Sequence, residues 1–365
     1  MRLVCFHLFN DYSGSPKVLK NTLQHLLAKG VCVELVTSRG GVLDELEGAG
    51  KIKYHRYSYK FSNNGIVTML RYIWAQIYTF FLALGYARDK EAVFYINTIL
   101  PIGPAIAGWL TGKRVIYHYH ENATVKSAFY RMLACAMQKI ATEIICVSNY
   151  QRSFLKRTEN VSVIPNAVED SFIAKLTPAP QKAFEEKRVL MLGSLKNYKG
   201  TVEFCTLANM LPQYNFELVI NDTQNNIDAF WRDNNIGQID NLAIHPRQED
   251  VTPFYNRASI VLNLTNKKLA IETFGLTALE AMSAGLPVIV PTVGGVAEMV
   301  EDGVNGYKID VQEISIIAEK IENLLSNRDL YLSLCKMGLL HSHKYNSATM
   351  AEEILHKIKK RTICK

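Results

Sequence analysis

Ile271-Glu272-Thr273-Phe274-Gly275-Leu276-Thr277-Ala278-Leu279-Glu280-Ala281-Met282-Ser283-Ala284-Gly285-Leu286-Pro287-Val288-Ile289-Val290 is the stretch whose local signals are strongest. Gly285 and Pro287 stop a helix that should open near residues 273–275, and the β-branched run 287–290 then reads as a strand. Another apolar run, 260–264, precedes the segment. The whole is therefore one strand–helix–strand unit of the kind that builds parallel sheets.

The same rhythm continues in both directions. Strands are expected upstream at 189–192, 217–220 and 242–245 and downstream at 307–309, with helical segments from 313 to about 360. The first half repeats it, with strands at 3–8, 32–37, 93–96, 115–118 and 144–147. Between the halves, Pro178, Pro180 and a mixed-charge end give 166–186 the composition of a linker. The boundaries read from this are 1–165 for an N-terminal Rossmann-like domain, 166–186 for the linker and 187–345 for a C-terminal Rossmann-like domain. A closing helix, 346–365, is free to pack back on the first domain. The expected architecture is α/β, two doubly wound domains facing each other across a cleft, with ligands outside the carboxyl ends of the strands.

Composition agrees. At roughly 150 residues per domain, 365 residues make two domains, and 48% apolar against 21% charged residues excludes a disordered or fibrous chain. Seven cysteines, odd in number and without a Cys-x-x-Cys pair, suggest neither a disulfide framework nor a cysteine metal site. Residues 1–9 read as a strand, not as a signal peptide, and the location expected is cytoplasmic. The apolar run 73–86, fourteen residues flanked by Arg71 and Arg88, is short of the about 20 needed to span a bilayer and suits a buried or interfacial helix. Residues 1–165 carry net +10 and 166–365 net −3, so the first half suits an anionic partner. An anionic membrane surface at the inner face of the cell membrane fits better than nucleic acid, because no basic recognition motif is present.

The chemistry of the segment follows from its geometry. At about 1.5 Å per residue, Glu272 at the helix mouth and Glu280 within the helix are at most about 12 Å apart along the axis, too far to share one bond. The amides of Phe274, Gly275 and Leu276 lie where a helix dipole presents about half a positive charge, a site for phosphate. Carboxylates beside it are better used as acceptors from hydroxyls. Hydroxyls at both ends and an anion between them describe a nucleotide sugar, although an ordinary helix with solvated glutamates fits the pattern too. The turn Gly193-Ser194-Leu195-Lys196-Asn197-Tyr198-Lys199-Gly200 follows a strand and places the cations Lys196 and Lys199 at its carboxyl end, where a diphosphate could be held, although solvated turn lysines fit as well.

Taken together, these motifs resemble family 4 of the glycosyltransferases, retaining enzymes with the GT-B fold. The likeness is carried by Glu272-Thr273-Phe274-Gly275 with Glu280, then Gly285-Leu286-Pro287, Gly294-Gly295 and Asp302-Gly303, with Pro165-Asn166-Ala167-Val168 upstream. The resemblance implies a glycosyltransferase of hexosyl type, with a nucleoside-diphosphate-sugar donor and a glycan or lipid-linked acceptor, in surface polysaccharide or lipopolysaccharide biosynthesis. It implies catalytic roles for Glu272, Lys199 and His120, with His118 as the alternative histidine. Donor binding would fall to Gly14, Gly193, Ser194, Lys199, Arg247, Glu272, Thr273, Phe274, Gly275, Leu276 and Glu280. No metal or other cofactor is expected, and no Asp-x-Asp triplet occurs. Ser194 departs from the family's usual Arg, whose bidentate clamp a hydroxyl cannot replace; Lys196 is the nearest substitute cation. Two alternatives stay open: a nucleotide-sugar epimerase of the same fold, and a donor-binding but inactive partner subunit.

Overall fold

The computed structural model describes residues 1–360 apart from the side chains at 124 and 125, so the last five positions of the segment 346–365, with Cys364, lie outside the described residues. The chain forms two compact units, Met1–Ala167 with the segment from Ser347 onward, and Val168–Asn346.

The first unit holds seven strands: β1 (Arg2–Phe6), β2 (Cys32–Ser38), β3 (Ile52–Tyr57), β4 (Ala92–Asn97), β5 (Arg114–Tyr119), β6 (Glu143–Cys146) and β7 (Val161–Val163). They pair in the order β3-β2-β1-β4-β5-β6-β7, every pair parallel. In the central strand β4, Ala-Val-Phe-Tyr-Ile-Asn is buried at all six positions, because helices cover both faces and leave no polar side. Leu3 stands between Val33 of β2 and Val93 of β4, and Phe6 packs edge-on against Phe94 with centroids 5.3 Å apart.

The second unit repeats the plan with β8 (Arg188–Gly193), β9 (Asn215–Ile220), β10 (Leu242–His245), β11 (Ile260–Leu262), β12 (Val288–Val290) and β13 (Gly306–Lys308), ordered β10-β9-β8-β11-β12-β13 and parallel throughout. In each sheet the strand order reverses direction beside the first strand, at β1 and at β8. Ligand sites of such sheets form at the carboxyl ends next to that reversal.

The strands β3 and β7 were not expected from the sequence. β3, at the sheet edge, carries Lys53, His55 and Arg56, and β7 has three residues, so neither offers a continuous apolar run. The helix around 73–86 is also longer at its start than its composition suggests: it spans Gly65–Leu84, and Asn64 caps it by accepting from the amides of Ile66 and Val67. Residues 166–186 hold two short helices, Asp170–Ile173 and Pro180–Glu186, and from Val168 they belong to the second unit.

The final helix, Ser347–Lys359, buries Met350, Ala351, Ile354, Leu355 and Ile358 along one stripe. Its ties are to the first unit: Asn21 donates to the Ser347 hydroxyl at 2.9 Å, and Lys29 pairs with Glu352 at 2.6 Å. Arg114 donates to the carbonyls of Lys357 (2.8 Å) and Ile358 (2.6 Å). A cation there satisfies the last carbonyls and the negative end of the helix dipole.

Candidate active site

Two loops at the carboxyl ends of the adjacent strands β8 and β11 carry most of the residues singled out above. After β8, Lys199 ends the single 3₁₀ turn Asn197–Lys199, and Gly200 follows at φ +75°. A Cβ on Gly200 would lie 2.4 Å from the Leu264 carbonyl oxygen; only glycine lets the two loops meet so closely. The Asn266 amide then donates to the Tyr198 carbonyl at 2.8 Å. The β11 loop is fixed from its other side by Gly294 and Gly295. The Gly295 amide donates to the Glu272 carbonyl at 2.8 Å, and a Cβ on Gly294 (φ +108°) would lie 2.5 Å from that same oxygen.

Within this frame the Lys199 ammonium is ion-paired with Glu272, whose Oε1 also accepts from the Thr265 hydroxyl at 3.0 Å. Burial pushes the Glu272 carboxyl up, but the Lys199 charge and hydrogen bonds from Lys199, Thr265 and Asn263 outweigh it and hold the group below the usual carboxylate range. Burial likewise works against the Lys199 ammonium, and Glu272 overcomes it, so Lys199 sits above the usual lysine value. Both groups are therefore charged at neutral pH.

The helix Leu276–Ser283 opens immediately after this pair, with Gly275 as its cap residue. Phe274 is buried, packed edge-on against Tyr345 at 5.8 Å, so its side chain anchors the loop and only its backbone is available to a ligand. Glu280, on the second turn, accepts from the hydroxyl of the buried Tyr255 at 2.6 Å. Gly193 closes β8, and the Ser194 carbonyl accepts from Thr201 at 3.1 Å. Lys196 is exposed. Arg247 follows β10, where its Nε donates to Asn221 at 2.8 Å.

In the first unit, Gly14 begins the helix Gly14–Ala28, two residues before Pro16. His120 follows β5, and its Nε2 lies 3.0 Å from Asn97 Oδ1; Asn97 Nδ2 lies 3.0 Å from His7 Nδ1. Asn97 Nδ2 also donates to the Ser15 carbonyl at 3.3 Å, which an amide oxygen could not do, so the amide accepts from His120 and donates to His7, and this orientation gives each ring the Nε2–H tautomer. His118 is buried completely, with its Nδ1 2.6 Å from the Tyr95 hydroxyl, and burial pushes it down to about 3. His120 is driven well below the ordinary histidine value by burial and by the neighbouring His118 and His7. Of the two histidines, His120 is the one at the loop, and it is neutral.

Lys199 and Glu272 thus meet directly, beside the helix start, while Arg247 stands at a different strand end. Sequence reading missed Thr265, Asn263, Tyr255, His7 and Asn97. Tyr255 is held by tertiary packing that no local pattern reports. Asn263 and Thr265 follow β11 directly, and His7 and Asn97 lie at the carboxyl ends of β1 and β4, a position that could have flagged all four. Among the described residues, no group of three or more His, Cys, Asp or Glu is gathered to hold a metal ion.

Residues 174–338 match the family model described as glycosyl transferases group 1, and residues 12–172 match that of glycosyltransferase family 4. The capsular polysaccharide biosynthesis glycosyltransferase CapM of Staphylococcus aureus is 25% identical over 96% of this chain and 95% of its own. An uncharacterized glycosyltransferase of Haemophilus influenzae is 28% identical over 46% of this chain. That match spans about half the relative's length, 48%. Among solved structures, Anabaena HepE in complex with UDP and glucose superposes with a TM-score of 0.80 at 18% identity, covering 98% of this chain and 99% of that one. TarM gives 0.75 at 12%, covering 98% and 99%. At those identities the likeness is one of fold.

Proposed function

The chain belongs to the group 1, family 4 glycosyltransferases of GT-B fold, and on that premise we propose that it moves a sugar from a nucleoside-diphosphate donor to an acceptor hydroxyl with retention of anomeric configuration. The observation that carries this reading is the Lys199–Glu272 pair at the mouth of the helix Leu276–Ser283. A cation, a carboxylate and helix-start amides on one rigid loop frame match the diphosphate and the hydroxyls of one ligand.

Donor binding replaces the internal ion pair. Lys199 turns to the diphosphate, and Glu272, already ionised, accepts from sugar hydroxyls beside the backbone of Thr273, Phe274, Gly275 and Leu276. Glu280, oriented by Tyr255, accepts from ribose. Gly193 and Ser194 border the diphosphate and Arg247 serves the base; the family resemblance assigns Gly14 to the diphosphate and His120 to the transferred sugar. As the bond from the anomeric carbon to the phosphate oxygen breaks, charge grows on that oxygen, where Lys199 and the amides favour it. The acceptor oxygen bonds to the same carbon from the same face, and its proton passes to the departing phosphate. The products are the glycoside and a nucleoside diphosphate. No step calls for a metal ion.

The CapM relative, a capsular polysaccharide biosynthesis glycosyltransferase, supports a role in surface polysaccharide synthesis, with a glycan or lipid-linked hydroxyl as the acceptor in this reading. The test is a thermal-shift screen of UDP-, GDP- and ADP-sugars followed by NMR of the product anomer. A stabilising donor raises the melting temperature, and Lys199→Ala and Glu272→Gln should each abolish most transfer. Wild-type protein that binds a donor but transfers nothing supports the inactive-subunit reading. Donor isomerised without acceptor supports an epimerase.

A further inference from the structure

The helix Gly65–Leu84 is apolar on two opposite faces, and its own domain covers only one. Tyr72, Ala75, Thr79 and Ala83 form the covered stripe. The helix is held there by the Tyr72 hydroxyl donating to the Leu100 carbonyl at 2.8 Å and by the Gly103 amide donating to Gln76 at 2.9 Å. The outward stripe is Ile66, Leu70, Trp74, Ile77 and Phe81, each 50–73% exposed, and Trp109 on the adjoining helix Ile102–Leu110 is 56% exposed. A soluble surface helix turns polar residues outward; here the outward face is the apolar one, and a contiguous patch of this kind marks an interaction surface.

Charge decides what covers it. Residues 48–142 contain twelve Lys and Arg and three Asp and Glu. Lys60, Arg71 and Arg88, all exposed, flank or lie on the helix, which has no acidic residue of its own. A second copy of the chain placed face to face would bring two cationic rims together. A bilayer with anionic headgroups offers hydrocarbon to the stripe and opposite charge to the rim. The helix is long enough to cross a membrane, yet Tyr72 and Gln76 bind it to its own domain along its length, so it lies in the interfacial plane with Trp74 and Trp109 at headgroup level. We propose that the outward face of Gly65–Leu84, with Trp109, is a monotopic docking surface for an anionic lipid bilayer.

The test is co-sedimentation of the full chain with phosphatidylcholine vesicles, with and without about one-third phosphatidylglycerol. Binding to the anionic vesicles is expected, weakened by salt, and lowered at least about tenfold by Trp74→Glu with Ile77→Glu. Trp74→Phe with Ile77→Leu should retain it, which separates loss of the surface from loss of the fold. Arg88→Glu should reduce binding and flatten its salt dependence. If the wild-type chain stays in the supernatant, or the double glutamate variant pellets as well as wild type, the proposal fails. It fails equally if that variant only converts a dimer to a monomer in sedimentation velocity, which would assign the face to a second copy. No sugar nucleotide enters the assay, so its outcome is independent of the transferase reading.

Discussion

Lys199 and Glu272 illustrate how a single contact changes the meaning of two residues. Apart, they are a turn cation and a helix-mouth carboxylate; together they are a half-buried pair that a ligand must open. Lys199→Met leaves the Glu272 carboxylate without its main counter-charge and should cost about 1–3 kcal/mol in denaturant unfolding. With Glu272→Gln added, the double variant should lose less than the sum of the singles, because the unpaired charge is gone; strict additivity would mean that the pair is not coupled. Ser194 raises the opposite question, of a missing group. If it is a weakened diphosphate site, Ser194→Arg should tighten donor binding several-fold in calorimetry, whereas no change would place the clamp elsewhere. The buried histidines set a pH dependence. His7, brought by burial to about 4, and His118, to about 3, stay neutral in the fold while the unfolded chain takes up protons from 6.5 downward. Stability should therefore fall as the pH drops from 6.5 towards 4, by about 1.4 kcal/mol per pH unit for each histidine. Denaturation midpoints at pH 7.5, 6 and 5 check this, and a flat profile would contradict the neutral assignment.

At the scale of elements, the loop bearing Glu272 is shaped less by its own residues than by Gly294-Gly295 across from it. Gly294→Ala puts a methyl against the Glu272 carbonyl in a left-handed backbone, so it should cost about 1–3 kcal/mol and weaken donor binding at the same time. A stable variant with unaltered donor affinity would show that the loop has another way to hold its form. Most strands were legible because parallel strands buried on both faces must be continuous apolar runs. β3 and β7 were not, since an edge strand that interleaves Lys53, His55 and Arg56 with Ile52 and Tyr54 has neither a continuous apolar run nor a clean polar–apolar alternation, and β7 has only three residues. The helix Gly65–Leu84 was legible only as the apolar run 73–86 and not in orientation, because composition does not report which face the domain covers.

For the whole molecule, chain order and compact units do not coincide. The last helix follows the second unit in sequence but buries its stripe in the first, and Arg114 holds its terminal carbonyls. Ending the chain at residue 346 should therefore lower protection in hydrogen exchange across β1, β5 and β6 and leave β8–β13 unchanged; a uniform loss over both units would refute that assignment. The sequence by itself determined the two parallel-sheet domains, the family and the loops bearing Lys199, Glu272 and Glu280, because hydrophobic period, glycine stops and motif spacing are local properties of the chain. Only the tertiary structure decided that Lys199 neutralises Glu272, that Asn97 sets the tautomer of His120, and which face of the long helix is left bare. Each of those depends on side chains far apart in sequence being brought within a few ångströms, and no local pattern encodes that distance.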